Sequence, residues 1–316
     1  MKTMLRTLCL ALSILTLLLM PACGGQEGAA APSEETSSTS STTVEEKIDT
    51  VEALANLDEV VSLEKVPFSS PIEDALAYKM RFRANDLTVA AEIVLPADYR
   101  DTAKPYPVLL YFPEVGMFVD DLAVNYAANG VIVVRLYARG FGDSEGTRDM
   151  GGPDDLRDAK MLLSICERAD FLKNSKFFVA GSSEGSITAM RLLAEDDAHR
   201  LSGCAVTDAV TDLHSFALSR GAAVAHLIAG LVGGSYEEAP EEYALRSAVT
   251  FPEKLDRPLL LLRYTQNPLF PATQAEGLRD LLQDREDFTY ENINALESDF
   301  AGKGLAKLLS WIDKCA

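Results

Sequence analysis

Residues 178–190 read FVAGSSEGSITAM, and this stretch decides how the rest of the chain is interpreted. The apolar residues at its start predict a strand, the small residues predict a sharp turn, and SITAM begins a helical pattern. Within the turn, residues 181–185 have the frame G-x-S-x-G, which is typical of a nucleophile elbow with Ser183 at its apex. A serine hydroxyl is a weak nucleophile at neutral pH, so a base must activate it. The source of that base is therefore the main question about function.

Strand and helix patterns alternate on both sides of the elbow. The runs ALAYKMRF and LTVAAEIVLP are separated by the turn signal RAND and predict an antiparallel hairpin. The apolar runs KPYPVLLYF and VIVVRLY predict buried strands, and KFFVAG, LSGCAVTDA, RPLLLLRY and DFTYENI predict further strands, with helices between them. This order predicts the α/β class, with a doubly wound, mostly parallel sheet. Residues 211–243 interrupt the alternation after the sixth predicted strand and predict an inserted helical cap.

The composition excludes some kinds of partner. The chain has 316 residues, of which 47% are hydrophobic, so it can bury a large core. Its net charge is −19, and such a chain repels phosphate backbones, so we expect no nucleic-acid partner. The excess acid is also what a solvated surface would carry. No spacing of metal ligands is present, and neither a metal nor a cofactor is predicted.

The N-terminal residues resemble an export signal. Lys2 and Arg6 form a positive region, and the apolar run that follows is too short for an ordinary membrane-spanning helix. Ala22 then precedes Cys23, as in a bacterial lipobox, where the cysteine is lipidated. We expect residues 1–22 to be a signal peptide and Cys23 to anchor the protein to the cell envelope, with the lipid as its contact with the membrane. Plain secretion with cleavage near Ala22 is the alternative.

A low-complexity tract follows Cys23. Residues 23–56 are rich in Gly, Ala, Ser, Thr and Glu and have few apolar residues, so they predict a disordered tether. Apolar periodicity starts near Leu57, and residues 57–316 are predicted to form the folded domain. This domain contains Cys166, Cys204 and Cys315, and the sequence does not determine whether two of them pair.

Two further motifs identify the fold family. Residues 137–146 read YARGFGDSEG, and residues 246–271 read RSAVTFPEKLDRPLLLLRYTQNPLFP. With the elbow, they make the chain similar to α/β-hydrolases of the prolyl-oligopeptidase and acyl-peptidase type, from about Ala75 to the C-terminus. The resemblance implies an α/β-hydrolase sheet that places Ser183 at the carboxyl end of a central strand.

The same resemblance reveals departures at the catalytic positions. Asn267 stands where the family has its catalytic aspartate, and Ser298 stands where it has its histidine. The family's H-G-G loop is replaced by residues 112–116, FPEVG, in which Pro113 has no N–H group and Glu114 brings a negative charge. The backbone N–H of Glu184 remains as an expected oxyanion donor.

Other residues are alternatives for the missing groups. His199 lies at the far end of the helix after the elbow, about 24 Å from it for 16 residues at the helical rise, and is excluded. His214 is the better candidate for a displaced base and His226 the other, although both fit a surface or cap-packing histidine better. Asp208 and Asp212 follow the sixth predicted strand, and Asp208 is the alternative acid. Both also fit helix capping or a solvated loop.

Three functions remain open at this stage. The first is a degenerate hydrolase whose pocket above Ser183 binds a small molecule or a peptide without turnover. The second is an active serine esterase or peptidase that uses Ser183 with a displaced base. The third is a structural envelope lipoprotein. Fold alone does not choose among them, but the loss of acid, histidine and oxyanion glycines together favours the first.

Overall fold

The computed structural model describes residues 50–67, 75–100, 105–114, 120–296 and 300–316. Its strands form a nine-stranded sheet in the order β1-β2-β3-β5-β4-β6-β7-β8-β9. The strands are β1 (Val60–Val66), β2 (Ala75–Ala84), β3 (Leu87–Pro96), β4 (Val108–Phe112), β5 (Ile132–Leu136), β6 (Phe177–Ser182), β7 (Leu201–Thr207), β8 (Leu259–Tyr264) and β9 (Phe288–Ile293).

The sheet is antiparallel at one edge and parallel over the rest. Strands β2 and β3 form the predicted hairpin, in which Ala84 pairs with Leu87 and Asn85 turns the chain with a φ of 57°. Strand β5 pairs antiparallel with β3, and the pairs from β5 through β4, β6, β7 and β8 to β9 are parallel. Parallel neighbours need crossover connections, and the helices between the strands supply them. The predicted α/β-hydrolase architecture is confirmed.

The helices cover both faces of the sheet and its carboxyl edge. They are α1 (Asp120–Ala128), α2 (Pro153–Glu167), α3 (Gly185–Ala194), α4 (Leu213–Ser219), α5 (Ala222–Val232), α6 (Pro240–Ala244), α7 (Ala272–Leu282) and α8 (Leu305–Cys315). Helices α4, α5 and α6 lie between β7 and β8, which is the interval predicted as an inserted cap. The cap has a small core of its own, in which Leu213, Phe216 and Tyr243 are buried with Ile187 of α3.

Alternate residues of the central strands enter different cores. In β8, Leu259 and Leu261 belong to the core on one face of the sheet, and Leu260 and Leu262 belong to the core on the other. Side chains of a strand alternate between faces, so a strand covered on both sides is apolar throughout. This is why the continuous apolar runs of the sequence predicted central strands correctly.

The N-terminal part of the domain differs from the prediction in two ways. Strand β1 was not predicted, because it is a half-exposed edge strand whose apolar and charged residues do not alternate regularly. It makes β7 the seventh strand, so the cap follows the seventh rather than the sixth. The packed chain also begins before Leu57: Val51–Asn56 forms a 3₁₀ helix, with Val51 and Leu54 buried in the core. The signal, Cys23 and most of the predicted tether lie outside the described residues.

Candidate active site

The elbow has the geometry that the G-x-S-x-G frame predicts. Ser183 lies between β6 and α3 with a φ of 52°, in the left-handed region that a non-glycine residue rarely adopts. Its N–H donates to the carbonyl oxygen of Thr207 at 3.1 Å, which ties the turn to β7. Only 5% of Ser183 is exposed. A strained residue persists when its surroundings fix it, and such residues concentrate at functional sites.

The two glycines of the frame permit close packing. A Cβ atom at Gly185 would fall on the carbonyl oxygen of Phe112 at the end of β4, and one at Gly181 would fall on the carbonyl group of Gly185. The backbone at Gly185 therefore lies close to the end of β4, and the backbone at Gly181 lies close to Gly185. A side chain at either position would displace backbone, so the glycines are required for the position of Ser183.

The hydroxyl of Ser183 has no hydrogen-bond partner within the described residues. All three histidines of the chain are described, and none is bonded to it. His214 stacks on Tyr236 with ring centroids 3.7 Å apart and meets Tyr243 edge to face. His226 on α5 and His199 after α3 are exposed. Ser298 lies outside the described residues. The structure thus brings Ser183 together with none of the histidines by hydrogen bonding.

At the acid position, Asn267 contacts Asp208, which the sequence offered as the alternative acid. Asn267 Nδ2 donates to Asp208 Oδ2 at 2.7 Å, and the N–H of Tyr264 donates to Asp208 Oδ1 at 2.8 Å. Asn267 Oδ1 accepts from the N–H of Leu269 at 3.1 Å, so both ends of its amide are engaged. Burial raises the pKa of Asp208, against the hydrogen bonds from Tyr264 and Asn267 and the charge of Arg263.

Asp212, the other carboxylate after this strand, has a local structural role. Its side chain accepts from the N–H of Ser215 at 3.1 Å and caps the start of α4. This is the capping role that its position also suggested.

On the oxyanion side of the site, the loop after β4 is hydrogen-bonded to the end of β6. Pro113 has no N–H, and the N–H of Glu114 donates to Ser182 Oγ at 3.2 Å. The hydroxyls of Ser182 and Tyr111 are also 3.2 Å apart. Glu184 is the residue directly before α3, which is where a backbone oxyanion donor was expected. The N–H that Glu114 could offer to an oxyanion is bonded to Ser182, a residue the sequence analysis did not single out.

Glu114 introduces a half-buried carboxyl beside the elbow. Burial and the charges of Glu184 and Asp208 together raise its pKa to about 7, against the opposing charge of Arg220. Glu184 itself pairs with Arg148, with 2.9 Å between Oε1 and Nη1. A carboxyl that holds its proton near neutral pH can donate a hydrogen bond when protonated and accept one when ionised.

A cavity of about 50 Å³ lies beside Glu184 rather than directly over Ser183. It is lined by the loop at Glu114, the chain after β5, the start of α2 and the first turn of α3. Asp155 and Arg148 contribute charged groups to its wall. Asp155 lies in the first turn of α2, where a negative charge suits the helix dipole and could satisfy the free N–H groups. Asp149 fills that role instead, because its carboxylate accepts from the N–H groups of Gly152, Asp154 and Asp155.

Neither a metal-binding cluster nor a membrane-spanning helix occurs among the described residues. No group of His, Cys, Asp or Glu within them is arranged to hold a metal ion. None of the helices in this part of the chain has the length and apolar character needed to span a bilayer. Cys166, Cys204 and Cys315 are free thiols.

Comparisons with known proteins agree with this geometry. The model of the family described as X-Pro dipeptidyl-peptidase (S15 family) matches residues 86–270. An uncharacterised peptidase, YtmA, from Bacillus subtilis (strain 168) is 25% identical over 207 residues, which cover 63% of this chain and 77% of YtmA.

Two solved structures illustrate the similarity of fold. Acylaminoacyl peptidase from Pyrococcus horikoshii has a TM-score of 0.61 and 15% identity over 77% of this chain and 42% of its own. Acetyl xylan esterase 1 from Thermoanaerobacterium has a TM-score of 0.59 and 14% identity, over 84% of this chain and 91% of its own. The chain thus spans less than half of the acylaminoacyl peptidase. At these identities the likeness to solved structures concerns the fold alone.

Proposed function

The chain belongs to the S15 family of peptidases, described as X-Pro dipeptidyl-peptidases, and we propose that it is a degenerate member that binds a small molecule or a peptide without turnover. Its homologues are peptidase- and esterase-type α/β-hydrolases. The loss of catalysis is inferred from the site of this chain and not from its homologues. Anchoring to the cell envelope through Cys23 is part of the same proposal and rests on the sequence alone.

One observation carries the proposal. The elbow holds Ser183 in its strained position, yet no histidine of the chain is hydrogen-bonded to its hydroxyl. Without a base, the hydroxyl keeps its proton at neutral pH and attacks a carbonyl poorly. Removal of the base from a catalytic triad leaves only the smaller contributions of substrate binding and oxyanion donors.

The acid position supports the same conclusion. In a catalytic triad the acid accepts a hydrogen bond from an N–H of the histidine, and this bond fixes the orientation of the ring. The amide nitrogen of Asn267 is instead committed to Asp208, and its oxygen to the N–H of Leu269. An amide at this position also carries no negative charge with which to hold a histidine that has taken up a proton.

A second function is favoured by the elbow itself. Ser183 has a positive φ, which costs conformational energy in a residue other than glycine. An active ester or peptide hydrolase with a displaced base would use that geometry directly. The third alternative, a purely structural lipoprotein, would use neither the elbow nor the cavity.

The deciding experiment compares wild type with Ser183→Ala on p-nitrophenyl acetate, a small activated ester. We expect the two rates to agree within about threefold, because loss of an idle hydroxyl removes no transition-state interaction. Labelling by a fluorophosphonate probe should be equally weak in both. A rate in wild type that exceeds the variant by about a hundredfold or more would overturn the non-catalytic proposal.

A gain-of-function variant tests whether only the triad has been lost. Asn267→Asp combined with Ser298→His restores the residues that the resemblance implies. We expect ester turnover above wild type but still low, because Pro113 offers no N–H and that of Glu114 remains bonded to Ser182. Either single substitution serves as the control, since each restores only one of the two partners.

A further inference from the structure

The cap contains a stretch of chain without charged residues. Residues 221–236 read GAAVAHLIAGLVGGSY and include no Asp, Glu, Lys or Arg. Charged residues make up 24% of the chain, so a stretch of this length would ordinarily carry about four. Helix α5 occupies most of the stretch. A helix that is apolar on all sides is typical of a position that is covered on all sides.

Only one side of α5 is covered by the described residues. Ile228 and Val232 are buried in the core of the cap. On the opposite side, a Cβ atom added at Gly230 would meet no described atom within 4 Å. A surface helix normally carries charged residues on its outer side, and the outer side of α5 has His226 as its single polar side chain. The exposed residues of the helix, called the cap face below, are Ala222, Ala223, His226 and Gly230.

Large apolar side chains are exposed just before and just after α5. Leu218, near the end of α4, is 65% exposed, and its carbonyl oxygen accepts from the N–H of Gly221 at 3.2 Å. Tyr236, which follows α5, is 39% exposed. An exposed apolar surface on a folded domain marks a place of interaction more often than chance. The cap face is therefore a candidate docking surface.

The size of the cap face argues against a second copy of the chain as its partner. Eleven residues at the helical rise make α5 about 16 Å long and, with side chains, about 10 Å wide. Such a helix covers about 160 Å² of a flat partner, whereas a stable interface buries about 800 Å² on each side. Two copies would also each carry a net charge of −19 and repel each other.

We propose that the cap face docks on a lipid surface of zwitterionic head groups, with α5 lying in the plane of the interface. An apolar helix side enters the boundary between head groups and acyl chains by about 5–10 Å, and it needs no partner of matching shape. The face is small, so docking of this kind is weak on its own.

The expected anchor makes weak docking sufficient, and the inference rests on this anchoring part of the proposed function. Thr50, the first described residue, follows Cys23 by 27 positions. A link of that length rich in Gly and Ser has an r.m.s. reach of about 30 Å. The domain is thereby kept at a high effective concentration beside the bilayer, where a small apolar face is enough to orient it.

Charge decides which lipids fit. Glu237 and Glu238 directly follow Tyr236 and are exposed, and the whole chain is strongly acidic. Anionic head groups would repel this surface, whereas zwitterionic head groups carry no net charge. The cap face also lacks the Lys and Arg residues with which interfacial helices bind anionic membranes.

The experiment measures quenching of a tryptophan on the cap face by brominated lipid. Lipid-modified protein with Ala223→Trp is placed in nanodiscs of phosphatidylcholine, with or without bromine on the acyl chains. We expect its fluorescence to fall by about half or more in the brominated discs, because the side chain reaches the acyl boundary. Leu281→Trp, on the exposed side of α7, is the matched reporter and should change by less than about a tenth. The native Trp311 is buried in the core and gives both proteins the same background.

Charged substitutions test whether the face itself docks. In the Ala223→Trp protein, Ala222→Glu with Gly230→Glu should remove about four-fifths of the quenching or more, because two carboxylates would have to enter the interface. Ala306→Glu with Gly302→Glu adds the same charges at exposed positions near the C-terminus and should leave the quenching unchanged. Melting curves show which variants fold. Ala222→Glu alone, in the first turn of α5 where an acid suits the dipole, keeps the test valid if the pair does not fold.

Several outcomes would overturn the inference. These are equal quenching of the two reporters, quenching that survives the added glutamates, and stronger quenching in discs of anionic phosphatidylglycerol. Light scattering that finds a dimer, dissociated by the same glutamates, would assign the face to a second copy instead.

Failure of the anchor is detected separately. Mass spectrometry shows whether Cys23 carries a lipid. If it carries none, the two reporters are compared with brominated phosphatidylcholine vesicles added to about 1 mM lipid. Stronger quenching of Ala223→Trp than of Leu281→Trp would then refute the anchor and leave the docking surface standing, and equal quenching would refute both.

Discussion

The side-chain amide of Asn267 donates to the carboxylate of Asp208 at 2.7 Å, across the carboxyl ends of two neighbouring strands. One of these residues occupies the acid position implied by the second family motif, and the other follows the strand next to it. A carboxylate, that of Asp208, is thus present beside the acid position, and it accepts hydrogen bonds from the Asn267 amide and from the N–H of Tyr264. An acid side chain in place of Asn267 would meet that carboxylate directly.

The first prediction follows from this contact. Asn267→Asp replaces a donor with an acceptor next to a buried carboxylate, so the two must share a proton in the folded state. We expect the free energy of unfolding to fall by about 1–3 kcal/mol near pH 8 and by less near pH 5, where one carboxyl is protonated. Urea denaturation at both pH values measures it. Asn294→Asp, an exposed position, should change stability by less than about 0.5 kcal/mol.

Backbone strain at the nucleophile is the second target. Ser183 has a φ of 52°, which glycine adopts without steric cost. We expect Ser183→Gly to be more stable than Ser183→Ala by about 1 kcal/mol, since alanine keeps the strain and glycine relieves it. The matched pair is Ser164→Gly and Ser164→Ala, inside α2. There the order should reverse by a similar amount. If the alanine variant is the more stable one at both positions, the elbow stores no strain.

Close packing of the elbow gives a third prediction. Gly185→Ala places a methyl group on the carbonyl oxygen of Phe112, which is backbone and does not yield easily. We expect a loss of about 2 kcal/mol or more in the free energy of unfolding, or no folded protein at all. Gly230→Ala is the control, because nothing lies near its Cβ position on the exposed side of α5. It should raise stability by about 0.5–1 kcal/mol through helix propensity.

The pH dependence of stability tests the buried carboxyl of Asp155. Its pKa is raised from 3.8 to about 8 on folding, so between those values the folded chain holds a proton that the unfolded chain has lost. The free energy of unfolding should therefore fall as pH rises through this window, by at most about 1.4 kcal/mol per pH unit, and level off above it. Asp155→Asn should flatten the slope between pH 5 and 7 by about one proton. Parallel curves for the two proteins would contradict this, and Asp197→Asn is the control.

The fifth prediction concerns the N-terminus. Cys23→Ser should move the protein from the membrane fraction to the soluble fraction of its host, because the serine hydroxyl replaces the thiol expected to carry the lipid. Fractionation followed by immunoblotting measures the distribution. Cys9→Ser, within the expected signal peptide, is the matched control and should stay with the membrane. If wild type itself fractionates as soluble, Cys23 is not an anchor.

The sequence determined the central fold and the nucleophile position for local reasons. Apolar runs covered on both faces, such as LLLL at 259–262, admit few structures other than buried strands. The strained turn at Ser183 was predictable because glycines flank the serine at fixed offsets between a strand and a helix. Edge strand β1 escaped prediction because half-exposed residues carry no regular apolar pattern.

Tertiary structure alone decided what the site residues do. Asp208 and Asn267 are 59 positions apart in the chain, and only the parallel pairing of β7 with β8 places their side chains in contact. Glu114 and Asp155 likewise line one cavity because the loop after β4 and the start of α2 meet beside the elbow. Local pattern fixes which elements form, since it depends on near neighbours. The charge, burial and hydrogen bonding of a side chain depend on residues distant in sequence, and those exist only once the sheet has assembled.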